Sequence, residues 1–235
     1  MSGRVTAVLV AAGRGERLGS STPKQFLDLG GLPVLEWSIR RFHAHPSVDH
    51  VVAVVPQEAA ERPPRWLAVA ARERGVALVA GGRTRAESVL RGVARAPDAA
   101  EVLLIHDGVR PFAGPELIDR VARPAVSTPV IPVLPVHDTI KRIDAHGRVV
   151  ETVDRACLRR AQTPQGFPAA LLRELHARRE AAAGITDDAL LCEREGSTVT
   201  TVEGDPLNLK LTGPDDLAYA RWLVDSGVIR PPTWR

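Results

Sequence analysis

A chain of 235 residues with 44% hydrophobic and 25% charged side chains can build a packed core, and that ordinary balance excludes a disordered or fibrous class. Its net charge of +3 comes from 31 basic and 28 acidic residues scattered along the chain, which disfavours a nucleic-acid surface and suits small anionic ligands. No apolar run reaches the ~18 residues of a membrane span. The two cysteines, Cys157 and Cys192, make neither a CxxC nor a zinc pattern, as expected of a reducing, cytoplasmic compartment.

Apolar runs alternate with helical patterns, which predicts an α/β fold with a mostly parallel sheet. "VTAVLVAA" reads as the first strand, buried rather than a signal-peptide core because "GRGER" follows at once. "PVLEWSIRRFHAH" reads as a helix with Pro33 at its start and Leu35, Ile39 and Phe42 on one face. A strand "HVVAVVP", a helix "RWLAVAARERG" closed by Gly75 and a strand "VALVAGG" follow. "TRAESVLRGVARA" is a helix whose Thr84 and Glu87 make a capping-box pattern. "EVLLIHD" and "VIPVLPV" are the next strands. Residues 137–158 break the rhythm: the pattern alternates and turns at "DAHG", predicting a β-hairpin arm that projects from the sheet. Two helices ("PAALLRELHARREAA", "TDDALLCEREG"), two strands ("STVTTVEG", "NLKLT") and a closing helix "PDDLAYARWLVDSG" complete a single domain spanning 1–235, with a frayed tail "RPPTWR".

The first strand runs into a glycine-rich basic loop, "AAGRGERLGSSTPKQFL". A Walker A loop requires a Gly-Lys pair, and the chain has none. A dinucleotide fingerprint fails because Leu18 stands where the third glycine belongs and no helix opens there. A nucleotidyltransferase loop fits better: Ala11, Ala12 and Gly13 let backbone N–H groups approach phosphate oxygens, and Arg17 and Lys24 add positive charge for a departing pyrophosphate. A solvated loop with two surface cations is the plain alternative. Asp107 ends a strand where α/β sheets place ligands, and a carboxylate there can hold Mg²⁺ or simply cap a turn. Gly81, Gly82 and Ser88 mark a second strand end, while Arg155, Lys210 and Thr186 stand out only by position.

Taken in order, "AAGRGERLGSSTPKQFL", "GGRTRAESV", "HDGVRPF", "HDTIKR", "TVDR", "QTPQGF", "TDDA" and "NLKLT" resemble the 2-C-methyl-D-erythritol 4-phosphate cytidylyltransferase family over nearly the whole chain. The resemblance implies a Rossmann-like, three-layer nucleotidyltransferase fold and transfer of CMP from CTP to methylerythritol 4-phosphate with release of pyrophosphate, a step of non-mevalonate isoprenoid synthesis. It implies Arg17 and Lys24 as transition-state stabilisers and Ala11, Ala12 and Gly13 as a phosphate cradle. Gly82 and Ser88 become the cytosine edge, and Gly108 joins the nucleotide site. Asp107 would bind metal and substrate, while Arg155 and Lys210, helped by Thr139 and Thr186, would place the acceptor phosphate. It further implies a homodimer whose arms cross, so that Thr139 and Arg155 serve the neighbour. Arg83 stands where some relatives carry an acid and is not counted among the candidates. Ribitol 5-phosphate as acceptor, and a non-catalytic nucleotide-binding protein, are the competing readings.

Overall fold

The computed structural model describes residues 4–13, 22–178 and 187–235. Arg17 and Thr186 lie outside the described residues.

The buried run of β1 (Val5–Val10) forms the sheet's centre because both of its edges find parallel partners. On one side lie β4 (His50–Val55) and then β5 (Ala77–Ala80); on the other lies β6 (Val102–Asp107). Beyond β6 the direction changes. β11 (Gln165–Pro168) runs antiparallel to β6 and touches β7 (Val130–Pro135), with β10 (Arg159–Ala161) further along β7. Val130 pairs with both Gly166 and Thr200, and Val133 with both Ala161 and Glu203. Hence β12 (Thr200–Glu203) takes one edge of β7 and the 159–168 segment takes the other, closing an eight-stranded, mostly parallel sheet.

Alternation along these strands divides the core into two faces. Val5, Ala7 and Leu9 pack with Leu35, Ile39 and Phe42 of α1 (Val34–Ala44), Leu67 and Ala70 of α3 (Arg65–Arg74), and Leu117, Ile118 and Val121 of α5 (Pro115–Ala122). Val8, Val52, Val54, Leu103 and Ile105 pack the other way, onto Val89 and Val93 of α4 (Arg85–Arg95), Leu172 and Leu175 of α6 (Ala169–Ala177), and Leu191 of α7 (Asp188–Arg194). Each fully buried aliphatic or aromatic side chain contributes about 1.5–3 kcal/mol relative to exposure. The result is the expected three-layer, Rossmann-like arrangement.

Within the described residues the predicted helices form inside their patterns, with Gly75 closing α3 in the left-handed region at φ 68°; residues 179–182 of the helix predicted from Pro168 lie outside them. The arm is a separate ribbon of β8 (Ile140–Ile143) and β9 (Val149–Val153). Its turn is held by the Asp144 carboxylate, which accepts from the backbone N–H groups of His146 and Arg148.

Two readings need correction, and one quoted motif assigned no element proves to be a strand. "NLKLT" is not a strand: Leu211 donates one backbone bond to Val109 and the segment otherwise runs as an irregular loop. "QTPQGF" yields β11, whose Gln165, Gly166 and Phe167 lie buried between β6 and β7; a four-residue antiparallel strand behind a proline carries little periodic signal. The tail does not fray. Trp234 packs edge-on to His43 (5.1 Å) and under the guanidinium groups of Arg40 and Arg74, while Arg235 reaches the His45 and Val48 carbonyls.

α8 (Pro214–Asp225) is fixed by its own first turn: the Asp216 carboxylate accepts from the N–H groups of Thr212 and Gly213. It packs Ala220 and Leu223 with Trp37, Phe112 and Leu211, under the small β2 (Asp28–Leu29) and β3 (Leu32–Pro33) hairpin. This third cluster positions the loop before α8, and with it Lys210, beside β6.

Candidate active site

The carboxyl ends of β1, β4, β5 and β6 open into one cavity of about 880 Å³. Ala11, Ala12, Gly13, Lys24, Gly82, Ser88, Asp107 and Lys210 line it. Residues from both ends of the chain therefore share one chamber, at the place where parallel α/β sheets bind ligands.

Lys24 sits on a single 3₁₀ turn, Lys24–Phe26, directly behind Pro23. Its Nζ donates to the Leu211 carbonyl at 3.3 Å, and the neighbouring buried Gln25 donates to the Gly13 carbonyl at 3.0 Å. The loop after β1, the Lys24 turn and the loop before α8 are thereby joined.

Asp107 is the electrostatic centre. It is 8% exposed, and its carboxylate faces Lys210 Nζ at 2.8 Å, Arg85 Nε at 3.6 Å and Arg110 Nε at 3.7 Å. Burial alone would favour the neutral acid, but the ammonium and the two guanidinium groups outweigh it and hold the pKa at about 2. Arg85 is itself clamped on its far side by the fully buried Asp188 at 2.8 Å, which also meets His176 at 3.2 Å. Burial opposes the Arg85 charge, yet Asp188 and Asp107 raise its pKa above the ordinary value. Adjacent His106 is buried and neutral: burial lowers its pKa to about 4 despite contacts to Thr163 Oγ1 and the Arg110 carbonyl.

Lys210 owes its position to a buried polar scaffold. Asn208 Nδ2 donates to the Thr163 carbonyl at 2.7 Å, Arg110 Nη1 donates to the Asn208 carbonyl at 2.8 Å, and Gln162 donates to the carbonyls of Asp205 and Asn208. Thr163 Oγ1 in turn accepts from the Asp107 N–H. An irregular loop can be this well placed because its buried backbone groups are met by the side chains of Arg110, just beyond β6, and Gln162 of the 159–168 segment.

On the β5 side, Ser88 Oγ accepts from the Gly82 N–H at 3.0 Å and donates to the Thr84 carbonyl at 2.9 Å. A Cβ on Gly82 would fall 2.3 Å from Glu87 Cγ, so only glycine fits that turn. Thr84 caps α4 by accepting from the Glu87 N–H. Gly108 follows Asp107 and donates to the Val10 carbonyl, joining the ends of β6 and β1.

Thr139 and Arg155 do not line this cavity. Both are exposed and stand at the base of the arm, where an Arg155 guanidinium nitrogen donates to the His137 carbonyl. Sequence reasoning set Arg83 aside and passed over several other lining or supporting groups: Gln25, Arg85, Arg91, Arg110 and Asn208. Most sit inside motifs already quoted; Arg110, three residues after Asp107, was legible as a candidate partner for it. Cys192 is buried and its thiol is pushed up to about 12 by that burial, leaving it inert.

A parallel sheet with a small-residue loop at its first strand end, opposed lysines and one ionised aspartate in a shared cavity defines a nucleotidyltransferase. Comparison with known proteins gives the particular family. The model of the IspD family, 2-C-methyl-D-erythritol 4-phosphate cytidylyltransferase, matches residues 5–226, and the chain belongs to that family. Relatives bearing that name from Nocardia farcinica and Rhodococcus jostii are 44% and 45% identical, over 95% of each chain for the first and over 96% of this chain and 97% of the relative for the second. The crystal structure of the Thermus thermophilus enzyme of that name superposes with a TM-score of 0.76 at 35% identity, covering 92% of this chain and 96% of that one. The 4-diphosphocytidyl-2C-methyl-D-erythritol synthase of Anaerococcus prevotii gives 0.81 at 26% identity, covering 96% and 100%.

Proposed function

We propose that the chamber around Asp107 is where this chain performs its family's reaction, with the residues above in the following roles. The reaction transfers CMP from CTP to 2-C-methyl-D-erythritol 4-phosphate and releases pyrophosphate, a step of isoprenoid synthesis by the non-mevalonate route. The acceptor's phosphate oxygen attacks the α-phosphorus of CTP in line, so the protein's work is positioning and charge compensation. The observation that carries the site assignment is the convergence of Lys24, Lys210 and Asp107 with the Gly82–Ser88 turn on one cavity.

Ala11, Ala12 and Gly13 cradle the triphosphate. Lys24, with Arg17, neutralises charge as pyrophosphate departs. Gly82 and Ser88 present the edge that reads the cytosine, and Gly108 keeps the nucleotide against the β6 end. Lys210 draws in the acceptor phosphate, helped by Thr186. Among the described residues no cluster of three or more His, Cys, Asp or Glu could hold a metal, and Asp107 is a single carboxylate. That donor set suits Mg²⁺ bound mainly by substrate phosphates, with Asp107 as its protein ligand. When bound, the ion neutralises triphosphate charge.

Assembly follows from the arm. A two-stranded ribbon is marginal alone, and this one exposes Ile143, Val149 and Val150. A homodimer with exchanged arms would cover them and carry Thr139 and Arg155 to the partner's cavity. Among the described residues no helix is long and apolar enough to cross a membrane; we place the enzyme in the cytoplasm, where CTP is available.

The reading is tested with purified protein, CTP and either methylerythritol 4-phosphate or ribitol 5-phosphate, scored by pyrophosphate release. Methylerythritol 4-phosphate is expected to be turned over preferentially; preference for ribitol 5-phosphate would overturn the acceptor assignment.

A further inference from the structure

Glu87 occupies the third position of α4, where a glutamate usually returns to the N-cap's own N–H. Here it does something else. One carboxylate oxygen accepts from the backbone N–H of Arg83 at 2.9 Å, a residue before the cap, and the other accepts from Arg91 Nη2 at 2.8 Å. Arg91 Nη1 reaches back to the Gly81 carbonyl at 2.8 Å and the Ala80 carbonyl at 3.4 Å. The turn between β5 and α4 is thus held at successive peptides: Gly81 N–H by the Val55 carbonyl, Gly81 C=O by Arg91, Gly82 N–H by Ser88 and Arg83 N–H by Glu87. The Glu87 stem also fills the space beside Gly82 that a Cβ would need.

We propose that Glu87 is a positioning residue for nucleotide recognition: braced by Arg91, it locks the Gly81–Arg83 turn in the one shape that fits the pyrimidine. This rests on Gly82 and Ser88 being the base-reading edge. An exposed i, i+4 pair on a helix adds little to the stability of the fold. The bonds to turn peptides give this pair a task that such a pair otherwise lacks. A loosened turn would lose affinity for the nucleotide before it lost the chemical step, since Lys24, Lys210 and Asp107 are held by other contacts.

The test is steady-state kinetics with CTP and with UTP. Glu87→Ala and Arg91→Ala are expected to raise KM for CTP about tenfold with kcat within about twofold, the signature of lost ground-state positioning. KM for methylerythritol 4-phosphate should stay put, and the preference for CTP over UTP should shrink. Glu87→Gln keeps an oxygen for the Arg83 N–H and should recover most of the loss; Arg91→Lys, which lacks the fork, should not. If Gly82→Ala weakens CTP binding while Glu87→Ala and Arg91→Ala leave KM for CTP and the UTP preference unchanged, the turn reads the base without Glu87 and the proposal falls. If none of the three changes either quantity, the base-reading assignment falls with it.

Discussion

Asp107→Asn isolates the electrostatic centre of the site. The substitution keeps the shape but removes the charge facing Lys210 at 2.8 Å, Arg85 at 3.6 Å and Arg110 at 3.7 Å. Burial disfavours the ionised carboxylate, yet the three cations bring its pKa from 3.8 to about 2. At about 1.4 kcal/mol per tenfold change in the ionisation constant, that corresponds to roughly 2–3 kcal/mol of folding stability. The Lys210 side chain is 40% exposed, so solvent screens part of its pull and the lower end, about 2 kcal/mol, is the working figure. Because the folded pKa lies below the unfolded one, the contribution is complete above about pH 5, falls to roughly half at pH 3, and disappears below about pH 2. Urea unfolding of wild type and variant in EDTA buffer between pH 3 and pH 7 measures it, the difference between the two curves cancelling every other titrating group. A gap of about 2 kcal/mol at pH 6 that narrows towards pH 3 is expected. A pH-independent gap, or none at pH 6, would refute the account of Asp107 as an ionised hub.

Three further outcomes follow from the same geometry. Lys24→Ala should lower kcat by about 10²–10³-fold, the usual loss on removing one donor to developing charge, and Lys210→Ala should do likewise while sparing CTP affinity measured by calorimetry. Asn208→Ala deletes the bond to the Thr163 carbonyl and should cost about 1–3 kcal/mol in urea unfolding, with a fall in kcat as Lys210 loses its support. Mixing an Arg155→Ala variant with a Lys24→Ala variant should restore activity above either alone if arms are exchanged; no recovery in pyrophosphate release would mean that each chain completes its own site.

The parallel strands were legible because Val5–Val10, His50–Val55 and Val102–Asp107 are continuous apolar runs, as two-sided burial in a parallel sheet requires, whereas α5 between β6 and β7 was not foreseen. Asp107 was legible for a related reason, since it closes a strand where the fold leaves a crevice, and Lys24 through the basic loop after the first strand; Lys210 gained a role only from the family resemblance. The supporting contacts were not legible. Asp188 lies 103 residues from Arg85 and Asn208 lies 45 from Thr163, and local patterns do not encode which distant polar groups will meet. The same limit misassigned "NLKLT". Its alternation of apolar and polar residues matches a strand, but Asn208 is buried with its side chain on the Thr163 carbonyl and Lys210 points to Asp107, so tertiary partners replace a ladder.

Net charge was the least informative quantity, and the cavity shows why. A balance of +3 over the whole chain conceals a chamber that, among the described residues, is lined by Lys24, Arg83, Arg85, Arg91 and Lys210 against a single carboxylate, Asp107. Such a local excess would be self-repelling if every cation faced open space. Instead Arg85 is committed to Asp188 and Asp107, and Arg91 to Glu87 and the Gly81 carbonyl. Lys210 alone contacts Asp107 from a side chain that is 40% exposed. It is therefore the cation that can exchange a carboxylate for a phosphate at little structural cost, since its loop is held by Asn208 and not by the ammonium group. Under the proposed assignment, an arriving triphosphate and acceptor phosphate would meet a positive field whose scaffold is already fixed, which is what makes preorganised charge effective in stabilising a phosphoryl transition state.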